Sequence, residues 1–98
     1  MTVSILDLHC LNAVCDDYES LDSICEEVRR SSHGNVNRDE VADAILELTR
    51  DGLVEAFEFD TRAELYIAVR GVIADVAAKW FLITTKGRAE LDANWVDS

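Results

Sequence analysis

A chain of 98 residues has room for one domain, and a domain of this size buries only somewhat more than ~60% of the surface its unfolded chain exposes, so its core must be compact. With 49% hydrophobic and 30% charged residues well mixed along the chain, the composition excludes a disordered polymer, and no apolar run approaches the ~18 residues that cross a bilayer. The net charge of −11 argues against a polyanionic partner without excluding one: Asp7, Asp16, Asp17, Glu19, Asp22, Glu26 and Glu27 lie in residues 1–28 with no lysine or arginine, whereas all nine basic residues come later and can still form a local stripe.

Met1-Thr2-Val3-Ser4 lacks the basic start of a secretory signal, which makes a cytoplasmic protein the expectation. Three cysteines, Cys10, Cys15 and Cys25, are odd in number and sit among apolar residues, as suits reduced core thiols rather than a disulfide framework. In chain order, residues 4–15 read as a first helix whose apolar side chains, from Ile5 and Leu6 to Val14 and Cys15, cover nearly its whole circumference. Such a helix needs cover on all sides, so one side is expected to meet a late helix or a second copy of the chain, and a homodimer follows as an expectation.

Ser20 is a cap for a second helix in which Leu21, Ile24, Cys25 and Val28 repeat at helical spacing, with Asp22, Glu26, Glu27, Arg29 and Arg30 on the outer side. Ser31-Ser32-His33-Gly34-Asn35 reads as a turn. Asn37 and Glu40 form a start like a capping box for a third helix, which buries Val41, Ala44, Ile45 and Leu48 and is ended by Gly52. The period then changes to alternation. Leu53, Glu55, Phe57 and Phe59 fall on one side of a strand and Val54, Ala56 and Glu58 on the other. A second strand is expected at Trp80-Phe81-Leu82-Ile83, and Thr84 or Thr85 caps a closing helix through Ala89, Glu90, Leu91 and Trp95. Residues 60–79 are too many for a hairpin loop of ~2–5 residues and too apolar for a solvated one, so Glu64 to Val69 is expected to extend a strand and Val72 to Ala78 to form a helical turn.

Two stretches, Leu48-Thr49-Arg50-Asp51-Gly52-Leu53-Val54-Glu55 and Trp80-Phe81-Leu82-Ile83-Thr84-Thr85-Lys86-Gly87-Arg88-Ala89-Glu90-Leu91, resemble the end of a recognition helix entering a wing and the second wing strand with the helix after it. On these the chain resembles a winged-helix domain, broadly of the MarR-like and PadR-like kind. The resemblance implies an α+β winged helix spanning 1–98, with three N-terminal helices, a two-stranded wing and a closing C-terminal helix. Two departures stand out: the wing is very long, and no short strand is legible before the second turn.

The resemblance also implies that the third helix offers its outer side to a partner or a DNA groove. Here that side carries Arg38, Asp39, Asp43, Glu47 and Arg50, with Glu40 near its start. Carboxylates there would face phosphates, whereas DNA recognition releases counterions through Lys and Arg and reads bases through Arg, Asn or Gln. Backbone contacts to DNA would fall to Arg29, Arg30, Arg62 and Arg70 together with Arg38. The plain alternative is a solvated helix face, with Arg50 paired to Glu47 or Asp43 on its own helix.

No Cys-x-x-Cys pair, His-x-x-x-His helix, glycine-rich phosphate loop or glycine-flanked nucleophile occurs, so His9, His33 and the cysteines are read as packing residues, with no metal, cofactor or catalytic site expected. Trp80 and Trp95 are read as core or dimer packing. The leading expectation is a regulatory interaction module, homodimeric, engaging a protein partner through its acidic outer face and apolar wing. The alternative is a DNA-binding transcriptional regulator with a local arginine stripe.

Overall fold

Ser4 starts the first element by a reciprocal pair of bonds: its Oγ accepts from the Asp7 N–H at 3.0 Å, and the Asp7 carboxylate accepts from the Ser4 N–H at 3.1 Å. In the computed structural model, which describes residues 3–32, 34–71 and 73–95, this capping box opens α1 (Ile5–Ala13). The helix stops short of the expected residue 15: its last turn tightens, with the Val14 N–H shared between the Cys10 and Leu11 carbonyls, and the Val14 carbonyl accepts from the Ile83 N–H at 3.0 Å instead of from a further helical turn. It packs against α2 (Leu21–Ser32), α3 (Arg38–Arg50) and α4 (Thr85–Asn94). Cover for its apolar circumference therefore comes from three helices of the same chain, the late one included; the end residue Ile5 stays 75% exposed.

α2 buries the expected stripe of Leu21, Ile24, Cys25 and Val28, and α3 buries Val41, Ala44, Ile45 and Leu48. One boundary shifts and one cap bonds differently. α2 continues through Ser32, so the expected Ser31 turn begins later, and His33 lies outside the described residues. Asn37 does cap α3, but its Oδ1 accepts from the Asp39 N–H at 2.7 Å rather than entering a box with Glu40. α3 ends in a Schellman motif: the Gly52 N–H reaches the Thr49 carbonyl, the Leu53 N–H reaches Leu48, and Gly52 sits at φ 78°, where a side chain would be strained.

The expected two-stranded wing is instead part of a four-stranded antiparallel sheet in the order β1-β4-β2-β3, built from β1 (Glu19–Ser20), β2 (Val54–Asp60), β3 (Leu65–Ala68) and β4 (Trp80–Ile83). The two predicted strands do pair, from Val54 opposite Ile83 to Phe57 opposite Trp80. Two further strands change the picture. β1 has only two residues, too few to show alternation, and joins the edge of β4 just before α2. β3 occupies most of the expected 64–69 extension and pairs with β2 from Phe57 opposite Ala68 to Asp60 opposite Leu65.

The long segment 60–79 therefore divides. Asp60 closes a tight hairpin by accepting from the N–H groups of Arg62 and Ala63, and Glu64 at φ 55° completes the reversal. The rest crosses back to β4 and contains a 3-10 turn at Val76–Ala78, within the expected helical turn; Val72 lies outside the described residues. The α+β class stands, with four helices and four strands among the described residues. The core sits between the helices and the base of the sheet, where Val54, Ala56 and Phe81 are buried with Leu11, Ile24 and Ile45.

Candidate interaction surface

Alternation along β2 decides what the hairpin displays. Val54 and Ala56 turn toward the helices and are buried, which sends Phe57 and Phe59 to the opposite face. Tyr66, beside Phe59 in register, and Trp80, beside Phe57, join them there. Tyr18, from the loop before β1, lies over this face and stacks on the Tyr66 ring with centroids 3.8 Å apart and planes within 6°. Its edge contact with Phe57 at 4.9 Å, and the contact of Tyr66 with Trp80 at 5.6 Å, tie the cluster together.

Beyond the reach of the helices the hairpin is bare. Phe59 is 42% exposed on the aromatic face, and Leu65 and Ile67 are 56% and 49% exposed on the other. Contiguous exposed apolar surface is what marks contact sites, and this hairpin brings three large exposed apolar side chains together within nine residues of chain. The principal extents of the molecule are 43, 26 and 22 Å. Lys79 Nζ meets Glu58 at 2.8 Å and braces the hairpin against the returning chain.

The residues singled out on α3 are spread along its exposed side. Arg38 pairs with Asp22 of α2; Asp39 donates its N–H to the Asn37 cap; Asp43, Glu47 and Arg50 are exposed and form no ion pair among the described residues. The arginines do not form one stripe. Arg29 donates from Nε to the Val36 carbonyl at 3.1 Å, and Arg30 is paired with Glu27 one turn back. Arg29 and Arg38 line a cleft shared with Asp22 and Glu26, so carboxylates offset their charge. Arg62 lies in the hairpin turn. Arg50 and Arg70 border adjoining clefts that share Thr49 and Gly71; the one between α3 and the chain leaving β3 has a volume of about 450 Å³ and includes Leu46 and Ile73.

Cys10, Cys15 and Cys25 are free thiols, and no three His, Cys, Asp or Glu side chains gather closely enough to hold a metal ion among the described residues. Burial, assisted by Asp7 and Cys25, pushes the Cys10 thiol up from 9.0 to about 12, the opposite of what a nucleophile needs. His9 bonds Ser31 Oγ through Nδ1 at 2.8 Å and meets Trp95 edge to face at 5.4 Å, so it links α1, α2 and the end of α4. Trp80 and Trp95 are each half-buried. Among the described residues no helix is long and apolar enough to cross a membrane.

The winged-helix resemblance pointed to the α3 face and gave no sign that Tyr18 would join a cluster; the signal lay in the aromatic content of β2 and β3, not in the loop that supplies it. Comparison of the chain with protein-family models, with curated proteins and with solved structures finds no match.

Proposed function

We propose that this chain is a non-enzymatic winged-helix module that acts through protein–protein contact, with the β2–β3 hairpin as its principal contact surface. The observation that carries the reading is the exposure of Phe59, Leu65 and Ile67 on a hairpin that projects beyond the helices. The winged-helix part draws support from β1, the short strand ahead of α2 that the sequence did not display, and from the paired strands that follow α3. The regulatory role is part of the same proposal.

A second reading, a DNA-binding regulator, is favoured by one placement: Arg50 and Arg70 flank adjoining clefts at the end of α3. Against it stand the net charge of −11 and the pairing of Arg30 and Arg38 with carboxylates. Fluorescence anisotropy with labelled random duplex DNA at about 50 and 200 mM salt separates the two, because phosphate contacts weaken steeply over that range. The protein-contact reading expects no binding at either salt. Salt-sensitive binding that Arg50→Ala and Arg70→Ala each reduce would replace it with the regulator.

A further inference from the structure

The outer edge of the sheet at β3 is open. β3 has β2 on one side and none of the described strands on the other. The Val69 N–H donates to the Ala56 carbonyl at 2.9 Å, which sets the phase of the ladder: Leu65, Ile67 and Val69 turn their backbone groups toward β2, whereas Tyr66 and Ala68 turn theirs outward. Edge strands are normally protected from further pairing by a lysine, a proline or a bulge. Leu65-Tyr66-Ile67-Ala68-Val69 contains no lysine, no proline and no charge.

We propose that this edge pairs with the same edge of a second copy of the chain, antiparallel about a two-fold axis at Ile67, so that the two sheets become one. This deepens the protein-contact reading and rests on it. The two-fold register follows from charge and hydrogen-bond phase together. With Ile67 opposite the partner's Ile67, Tyr66 and the partner's Ala68 exchange both backbone bonds, and Leu65 lies beside the partner's Val69. The same register carries Glu64 of each copy alongside the partner's Arg70, placing opposite charges at both ends of the apolar ladder. Both residues are exposed and neither is in an ion pair among the described residues.

The neighbouring two-fold registers are worse. Centring on Tyr66 sets Leu65 against the partner's Ile67 and carries Glu64 alongside the partner's uncharged Ala68, and centring on Ala68 sets Arg70 against the partner's Tyr66 and leaves Leu65 opposite Gly71, so neither brings Glu64 to Arg70. Charge also favours a second copy at this place over any other face. Two molecules of net charge −11 repel wherever acidic surfaces meet, while residues 65–69 are uncharged and their flanks complement themselves.

Sedimentation velocity of the intact protein from about 5 to 200 μM is the first experiment, with Ile67→Lys beside it. We expect a dimer, and self-association weakened on the order of a hundredfold by Ile67→Lys, since two ammonium groups would then face each other across the axis. Circular dichroism and thermal melting check that this half-exposed position leaves the fold intact. Glu64→Arg and Arg70→Glu should each weaken the dimer, and the double exchange should restore it. In a Cys15→Ser background, Ile67→Cys should form an intermolecular disulfide on oxidation, because a non-hydrogen-bonded antiparallel pair sets its Cα atoms roughly 4.5 Å apart. A wild-type monomer throughout, or a dimer indifferent to Ile67→Lys and to the charge exchange, overturns the self-pairing. Neither result touches the protein-contact reading itself, which falls only to DNA binding in the anisotropy measurement.

Discussion

At Gly87 the packing leaves no room for a methyl group. Thr84 Oγ accepts from the Gly87 N–H at 3.0 Å and donates to the Gly52 carbonyl at 2.7 Å, which pulls the start of α4 onto the turn that ends α3. A Cβ at Gly87 would collide with the Leu53 carbonyl oxygen and come within 2.8 Å of Ile83 Cγ1. The obstacle is backbone and cannot rotate away. Gly87→Ala is therefore expected to destabilise the protein by roughly 2–3 kcal/mol in urea denaturation, overpacking outweighing the better helix propensity of alanine. Gly34→Ala, whose nearest neighbour would be 3.8 Å away, is the control and should change little. Cys10 supplies a pH-dependent test. The unfolded chain gives up the thiol proton near 9.0 while the folded chain holds it to about 12, so the folded state binds more protons across that window. Stability should then fall as pH rises above 9.0, by about 1.4 kcal/mol per unit from this one group. Burial raises the Cys15 and Cys25 thiols in the same direction, so Cys10→Ala should flatten only part of the slope measured between pH 8 and 10.5.

Among the elements, α2 and α3 were the most legible, because each has one apolar stripe and one charged side and the structure only had to place the stripe against a core. The Asp51-Gly52 ending was equally plain. Gly52→Ala must hold a Cβ at φ 78° and is expected to cost about 1 kcal/mol, measurable as a lower urea midpoint with unchanged slope. β1 could not be read, since two residues carry no period, and its existence depends on the edge of β4 being there to receive it. α1 was overextended because apolar residues continue past Ala13, while the carbonyls they follow are claimed elsewhere: Val14 by the Ile83 N–H and Cys15 by Arg88. Of the candidate site, the residue types on α3 were legible. The pairing of Arg38 with Asp22 was not, because it joins residues 16 positions apart on two helices.

For the whole molecule, the net charge of −11 has a consequence independent of any site. Like charges confined to one small body repel, and salt screens them over a Debye length of about 10 Å at 0.1 M. The melting temperature should rise between about 10 and 300 mM sodium chloride, and dimer formation should strengthen over the same range; a fall in both would show that specific ion pairs outweigh the general repulsion. The sequence by itself determined the helices with one apolar stripe, strands near 53–59 and 80–83, Asn37 and Thr84 as capping positions and the charge, because each is set by neighbours a few positions away. Only the tertiary structure decided that β2 lies between β3 and β4, that Tyr18 stacks on Tyr66, that α4 covers α1, and that the arginines stand apart. Those relations join residues distant in sequence, and their energy depends on which surfaces the packed core brings together.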